Sequence, residues 1–349
     1  MSDEVYYRLR DFLDKLPGGF PSTEEGTEIK LLKKFFTPEE ADIALHLQPL
    51  PEPPGKIAER MGRDPAEISE KLEDMAKAGS IYRIRMNGGP LYMAIQFVVG
   101  IYEFHLNGID RETAELMEDY LPRLSRVWKD TSTKQLRVSP SVAAVDTAPA
   151  VETYDNIRDR VKEQTSLAVA ECICRKEQDL LGFQCERPWE VCMTFGHAAE
   201  YYIENGIGRR IDINEALSIL DKAEEAALVL SPSNTRELMN VCCCCGCCCG
   251  ILRNLKQWDE PANHVHASFQ AKIDPELCSA CGTCEERCQI EAVIEGDVYK
   301  IDEMRCIGCG LCVNHCPEEA IILVERPREE PPKNMPEMGM KIMKERGML

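Results

Sequence analysis

A repeat near the C-terminus constrains this chain most. The stretch KIDPELCSACGTCEERCQIEAV, beginning at Lys272, recurs from Lys300 as KIDEMRCIGCGLCVNHCPEEAI, and a shift of 28 residues (300 − 272) superposes all four cysteines. Each copy has the spacing C-x2-C-x2-C-x3-C: Cys278, Cys281, Cys284 and Cys288, then Cys306, Cys309, Cys312 and Cys316, the last followed by Pro317. Three thiolates two residues apart on a tight turn wrap one side of a site, and Gly282, Gly308 and Gly310 permit that turn without Cβ clashes. A repeated ligand set implies a repeated site. A zinc knuckle closes with four ligands and leaves two such runs unexplained.

Both runs are similar to those of bacterial dicluster ferredoxins. The resemblance covers residues 271–326 and implies a small pseudo-symmetric module of strands and helices. Its cofactors would be two 4Fe-4S clusters that carry single electrons at low potential. Crossed ligation is also implied, since the fourth cysteine of each run opens the next helix and serves the other cluster. One cluster then takes Cys278, Cys281, Cys284 and Cys316, and the second takes Cys306, Cys309, Cys312 and Cys288. The first copy departs from the pattern by having Gln289 where proline usually follows, which removes no ligand.

Nineteen cysteines among 349 residues are an odd count, and at that density free thiols need an oxidising compartment or a metal. The N-terminal MSDEVYYRLRDFLDKLPGG is charged and lacks an apolar signal region, so a reducing cytoplasm is expected. The most apolar run, Leu91 to Tyr102, is well short of the roughly 20 residues that span a bilayer, so no membrane insertion is expected. A net charge of −19 repels nucleic acid and anionic lipid and favours protein partners with basic docking faces.

Eleven further cysteines lie upstream. Cys172, Cys174, Cys185 and Cys192 are spaced C-x-C-x10-C-x6-C beside Arg175, Lys176, Glu186 and Arg187, a polar setting in which apolar cysteines seldom sit. They are candidates for one more 4Fe-4S cluster. Then comes VCCCCGCCCG, with seven thiols between Cys242 and Cys249. Successive side chains diverge in any regular backbone, so one cubane cannot use all seven. Three readings stay open: a cubane shared with the Cys172 group, a cluster of unusual nuclearity that does substrate chemistry, or ligands mixed with spectators. Candidate ligands here are Cys242, Cys244, Cys245, Cys247 and Cys248. The repeated Cys-Cys-Gly faintly resembles the motif of heterodisulfide reductase catalytic subunits, whose second cysteine-rich element is missing. The succession of CxCR, C-x6-C, poly-cysteine and dicluster parts resembles large multi-cluster ferredoxin-like proteins of anaerobes, which implies redox service in anaerobic metabolism. His264 and His266 read as packed or solvated histidines rather than ligands.

Ahead of the cysteines, apolar spacing predicts helices on either side of Thr37-Pro38, with Thr37 as cap. Residues 56–98 read as helix, turn at Gly62, helix ending at Gly79, and two strands joined by Asn87-Gly88-Gly89-Pro90. That order resembles a winged helix-turn-helix domain. Its second helix is acidic, which disfavours DNA and favours protein docking. A helix over 212–230 is expected from the D-x-x-E cap at Asp212, with Leu217, Leu220, Ala227 and Leu228 as its buried stripe. Turns are expected near Pro140 and Pro149. The tail from Pro327 reads as flexible, or as a short helix docking through Met340, Ile342 and Met343.

The expected fold class is therefore α+β: a winged-helix-like domain (1–105), a mixed cysteine-rich middle domain (106–270), a dicluster ferredoxin module (271–326) and a tail (327–349). Dinucleotide, Walker and zincin motifs are lacking. The expected function is electron transfer between protein redox partners through two 4Fe-4S clusters and one or two more. The alternatives are a reductase subunit with a catalytic cluster at the poly-cysteine stretch and an iron-sulfur redox-sensing transcription regulator. Nothing in the sequence fixes an oligomeric state.

Overall fold

The computed structural model describes residues 3–141, 144 and 155–349, so the turn expected at Pro149 lies outside the described residues. Five helices open the chain: α1 Glu4–Asp14, α2 Thr27–Phe35, α3 Pro38–Ala44, α4 Pro54–Met61 and α5 Pro65–Ala78. A hairpin follows, β1 Tyr82–Met86 with β2 Gly89–Met93. Local chemistry sets these boundaries. The Thr37 hydroxyl accepts from the Glu40 N–H while the Glu40 carboxylate accepts from the Thr37 N–H, a reciprocal cap with Pro38 next in the chain. The Asp64 carboxylate caps α5, and Gly62 and Gly79 end α4 and α5 in left-handed conformations. Met86 faces Gly89, which leaves Asn87-Gly88 as a two-residue turn. The expected helix, turn, helix, hairpin order is therefore present. The carboxylate of Glu73 on α5 is engaged internally, by Arg83, Arg85 and Tyr92 of the hairpin.

The middle of the chain is built on five antiparallel strands: β4 Leu167–Glu171, β5 Glu190–Phe195, β6 Arg209–Arg210, β7 Val229–Pro232 and β8 Asn240–Cys244, in the spatial order β6-β4-β5-β8-β7. A short β3, Arg137–Val138, pairs in parallel with β9, His266–Ala267. The helix after Asp212 starts as expected, with the Asp212 carboxylate accepting the Glu215 N–H. It stops at Glu225 instead of running to Leu230. Ala227 turns left-handed, at φ 54, and Val229 to Pro232 become the edge strand β7, paired with the cysteines of β8. The buried stripe is consequently Ala216, Ile219, Leu220 and Ala223, with Leu217 only partly covered.

In the C-terminal region β10 (Phe269–Ile273) pairs with β13 (Ile321–Glu325), and β11 (Val293–Ile294) pairs with β12 (Lys300–Ile301). Residues 335–345, where composition suggests a flexible tail, form a helix capped by Asn334. Met338 and Ile342 are buried, Gly339 lies against Pro17, and Arg346 donates to the Leu16 carbonyl. Burial against the segment that follows the chain's first helix offsets the weak local propensity; Met340 stays 57% exposed. Among the described residues no helix is long and apolar enough to cross a membrane.

Candidate metal centres

In the C-terminal region the cysteine loops turn as the glycines permit, with φ of 84°, 69° and 70° at Gly282, Gly308 and Gly310. Cys278, Cys281, Cys284 and Cys316 line one small cavity, so the fourth cysteine of the second run does meet the first three of the other. Cys288 in turn lies near enough to Cys306, Cys309 and Cys312 for its charge to oppose their ionisation. Burial is the main cause of their raised pKa values, which reach about 12 at Cys309. Backbone N–H groups of Ala271, Ala292 and Ala320 point at the sulfurs of Cys306, Cys288 and Cys316, at 3.4, 3.2 and 3.3 Å. Such donors stabilise thiolate and reduced cluster alike, so this donor set suits cubane clusters.

The eleven upstream cysteines divide differently from the grouping expected in the sequence. The β5–β8 register, with Met193 opposite Val241, brings Cys192 beside Cys242. Alternation along β8 places Cys242 and Cys244 on one face and Cys243 on the other. Cys172 caps the helix Ile173–Leu180, which carries Cys174, and Cys249 caps the helix Gly250–Lys256. The result is a closed ring of neighbouring thiols, in the order Cys172, Cys174, Cys249, Cys244, Cys242 and Cys192, returning to Cys172. Hydrogen bonding from ring neighbours holds Cys172, Cys242 and Cys249 well below the ordinary thiol range and pushes Cys174, Cys192 and Cys244 above it. Cys249 was not among the sequence candidates; its place at the N-terminus of a helix packed on the ring is the signal that marks it. Cys243 lies outside the ring, and burial pushes its thiol up.

Cys185 does not join Cys172, Cys174 and Cys192. It approaches Cys247 at 3.8 Å, and Cys247 approaches Cys248 at 3.8 Å. With Cys245 these form a set whose sulfurs all lie within 4.8 Å of one another. Cys245 is held down to about 5 by its bond with Cys248. The loop carrying Cys185 is fixed by Trp189, whose ring N–H donates to the Cys185 carbonyl and whose own carbonyl accepts the Cys172 N–H.

Arg175 stands between the two groups with no solvent exposure. Nη2 donates to the Cys243 carbonyl at 3.2 Å, while Nε and Nη1 have no hydrogen-bond partner. Burial opposes its charge, but nearby Cys172, Cys245 and Cys192 outweigh that and push its pKa up. A buried guanidinium facing sulfur suits thiolates rather than neutral thiols.

Gln289 joins this region to the C-terminal one. Its side-chain oxygen accepts the Gly246 N–H at 2.9 Å and a hydrogen bond from Arg187, directly after Cys288 in the chain. Its carbonyl packs so closely that a Cβ on Gly246 would lie 2.3 Å away. His264 packs edge-on against Trp258, and His266 lies in β9.

The model of the 4Fe-4S binding domain family matches residues 271–294 and 299–322. No curated protein and no solved structure matches the chain. Two consecutive matches, each covering one four-cysteine run, identify the C-terminal region as a ferredoxin-type dicluster module.

Proposed function

We propose that the protein is a cytoplasmic electron carrier of an anaerobic redox complex, passing single electrons between protein partners. Two 4Fe-4S clusters would be held by the crossed sets of the dicluster module, and at least one further cluster by the ring of six thiols. The observation that carries this reading is the contact of Gln289, adjacent to Cys288, with Gly246 in the midst of the poly-cysteine stretch. It ties the poly-cysteine turn to the module by one hydrogen bond, from the Gly246 N–H to the Gln289 side-chain oxygen.

A cluster bound at the ring would supply one-electron chemistry. The chain's residues would bury it, oppose its negative charge with Arg175, and keep its sulfurs from solvent protons. The net charge of −19 favours partners with basic docking faces and disfavours DNA. The helix-turn-helix and hairpin then serve as a docking element, in keeping with the internal use of Glu73.

Anaerobic iron and sulfide counting with paramagnetic resonance tests this. Twelve or more irons per chain, counting four per cubane, are expected, and Cys174→Ser should remove an upstream signal while sparing the module's. About eight irons, unchanged by that substitution, would leave the module alone.

One observation favours the reductase reading as the second choice. A largely apolar cavity lined by Val98, Leu252, Leu255 and Trp258 reaches the ring at Cys244 and Cys249. Substrate turnover by the isolated chain, abolished by Cys249→Ser, would select it.

A further inference from the structure

The division of the upstream thiols carries a distinction that cluster counting alone would miss. We infer that Cys185, Cys245, Cys247 and Cys248 form a closed tetrahedral site for a single thiophilic ion, zinc or one iron, separate from the ring. The inference rests on the reading of the upstream thiols as metal ligands and deepens it.

Sulfur spacing decides between one ion and a cubane. Four thiolates bound at about 2.3 Å around one ion form a tetrahedron with edges of about 3.8 Å. Thiolates that cap the corners of a 4Fe-4S cube stand further apart, at roughly 6 Å, because the cube lies between them. Here two of the separations are 3.8 Å and all of them are within 4.8 Å. Among the described residues this is the set of three or more potential ligands drawn so close together. The module cysteines, where the family model places 4Fe-4S binding, are not gathered in this way, so the two geometries coexist in one chain.

The ligand supply agrees. Three of the thiols come from one turn, in which Gly246 lets the backbone press against Gln289, and the fourth comes from the distant loop anchored by Trp189. Closing that loop is what a structural ion does. A divalent ion with four thiolates carries a net charge of about −2, and the buried, partly unpaired Arg175 supplies a countercharge without leaving the core.

The test uses the full chain purified anaerobically, assayed for zinc, iron and acid-labile sulfide. One equivalent of metal unmatched by sulfide is expected. X-ray absorption at the zinc edge, or Mössbauer spectroscopy if the ion is iron, should show four sulfurs at about 2.3 Å and no metal neighbour. Cys247→Ser should remove that one equivalent while the sulfide-matched iron stays constant. Loss of about four irons and four sulfides together would overturn the inference, since a cubane releases both. Absence of any sulfide-free metal from the unmodified protein would also overturn it. If Cys247→Ser fails to fold, the spectra of the unmodified chain decide alone. A sulfide-free ion in a chain with only eight irons would instead count against the ring cluster and leave this site standing.

Discussion

Gly308 offers the sharpest test of the module's geometry. It lies between Cys306 and Cys309 at φ +69, and a Cβ placed there would be 1.8 Å from the Phe269 carbonyl oxygen and 2.6 Å from its carbon. Real Cβ atoms essentially never approach closer than 3.0 Å, so Gly308→Ala requires a shift of at least 1.2 Å (3.0 − 1.8) against backbone. That backbone is β10, which is paired with β13 and also supplies the Ala271 N–H to Cys306. Left-handed conformation costs an alanine about 1–2 kcal/mol, and forced displacement of a packed strand adds roughly 2–3 kcal/mol. Gly62→Ala is the control, because Gly62 has nearly the same φ, +64, with nothing within 4 Å of its Cβ. It should show only the conformational cost, about 1–2 kcal/mol. Denaturation midpoints of the two variants, together with the iron retained after anaerobic reconstitution, separate the terms. Equal loss of stability in both, with full iron content in Gly308→Ala, would refute the packing of this loop against β10.

Other outcomes follow from the upstream region. Cys249→Ser should lose iron from the ring while Cys243→Ala retains it, as read by iron content; equal loss in both would remove the distinction between the two faces of β8. Burial raises the Glu177 carboxyl from 4.5 to about 7, despite the hydrogen bond it accepts from Tyr102. The native protein therefore holds a proton there that the unfolded chain has released between those values, so stability is full below pH 4.5 and falls as pH rises through 7. The whole effect is about 3 kcal/mol. Glu177→Gln should flatten that slope in denaturation midpoints taken at several pH values, and an unchanged slope would show that the carboxyl is not desolvated. Arg175→Leu removes a positive charge beside the ring and should lower the potential of an upstream centre in a redox titration, with the module's potentials unmoved.

The module was legible in the sequence because its ligands are local: spacing and glycines set the loops, and the repeat sets their number. The caps at Thr37 and Asp212 were legible for the same reason. The grouping of the upstream thiols was not, because it depends on strand register. Cys192 meets Cys242 only through the pairing of β5 with β8, and a run of cysteines carries no marker of which residue faces which side. Helix termination at Glu225 was hidden by a continuous apolar pattern that serves helix and edge strand alike. The tail's helix depends on burial against residues far earlier in the chain, with Leu16 lying 330 positions before Arg346. The proline missing after Cys288 looked like a neutral departure, whereas Gln289 is the residue that reaches the poly-cysteine turn.

That turn allocates its sulfurs by position alone. Cys242 and Cys244 go to the ring, Cys245, Cys247 and Cys248 to the compact set, and Cys249 back to the ring. Two groups of thiols are thereby interleaved along eight consecutive residues, with a single peptide bond between Cys244 and Cys245 and another between Cys248 and Cys249. Insertion of one residue within the stretch would leave every thiol present yet hand several of them to the wrong group. The stretch therefore behaves like a reading frame, intolerant of a change in length even where it tolerates a change in side chain.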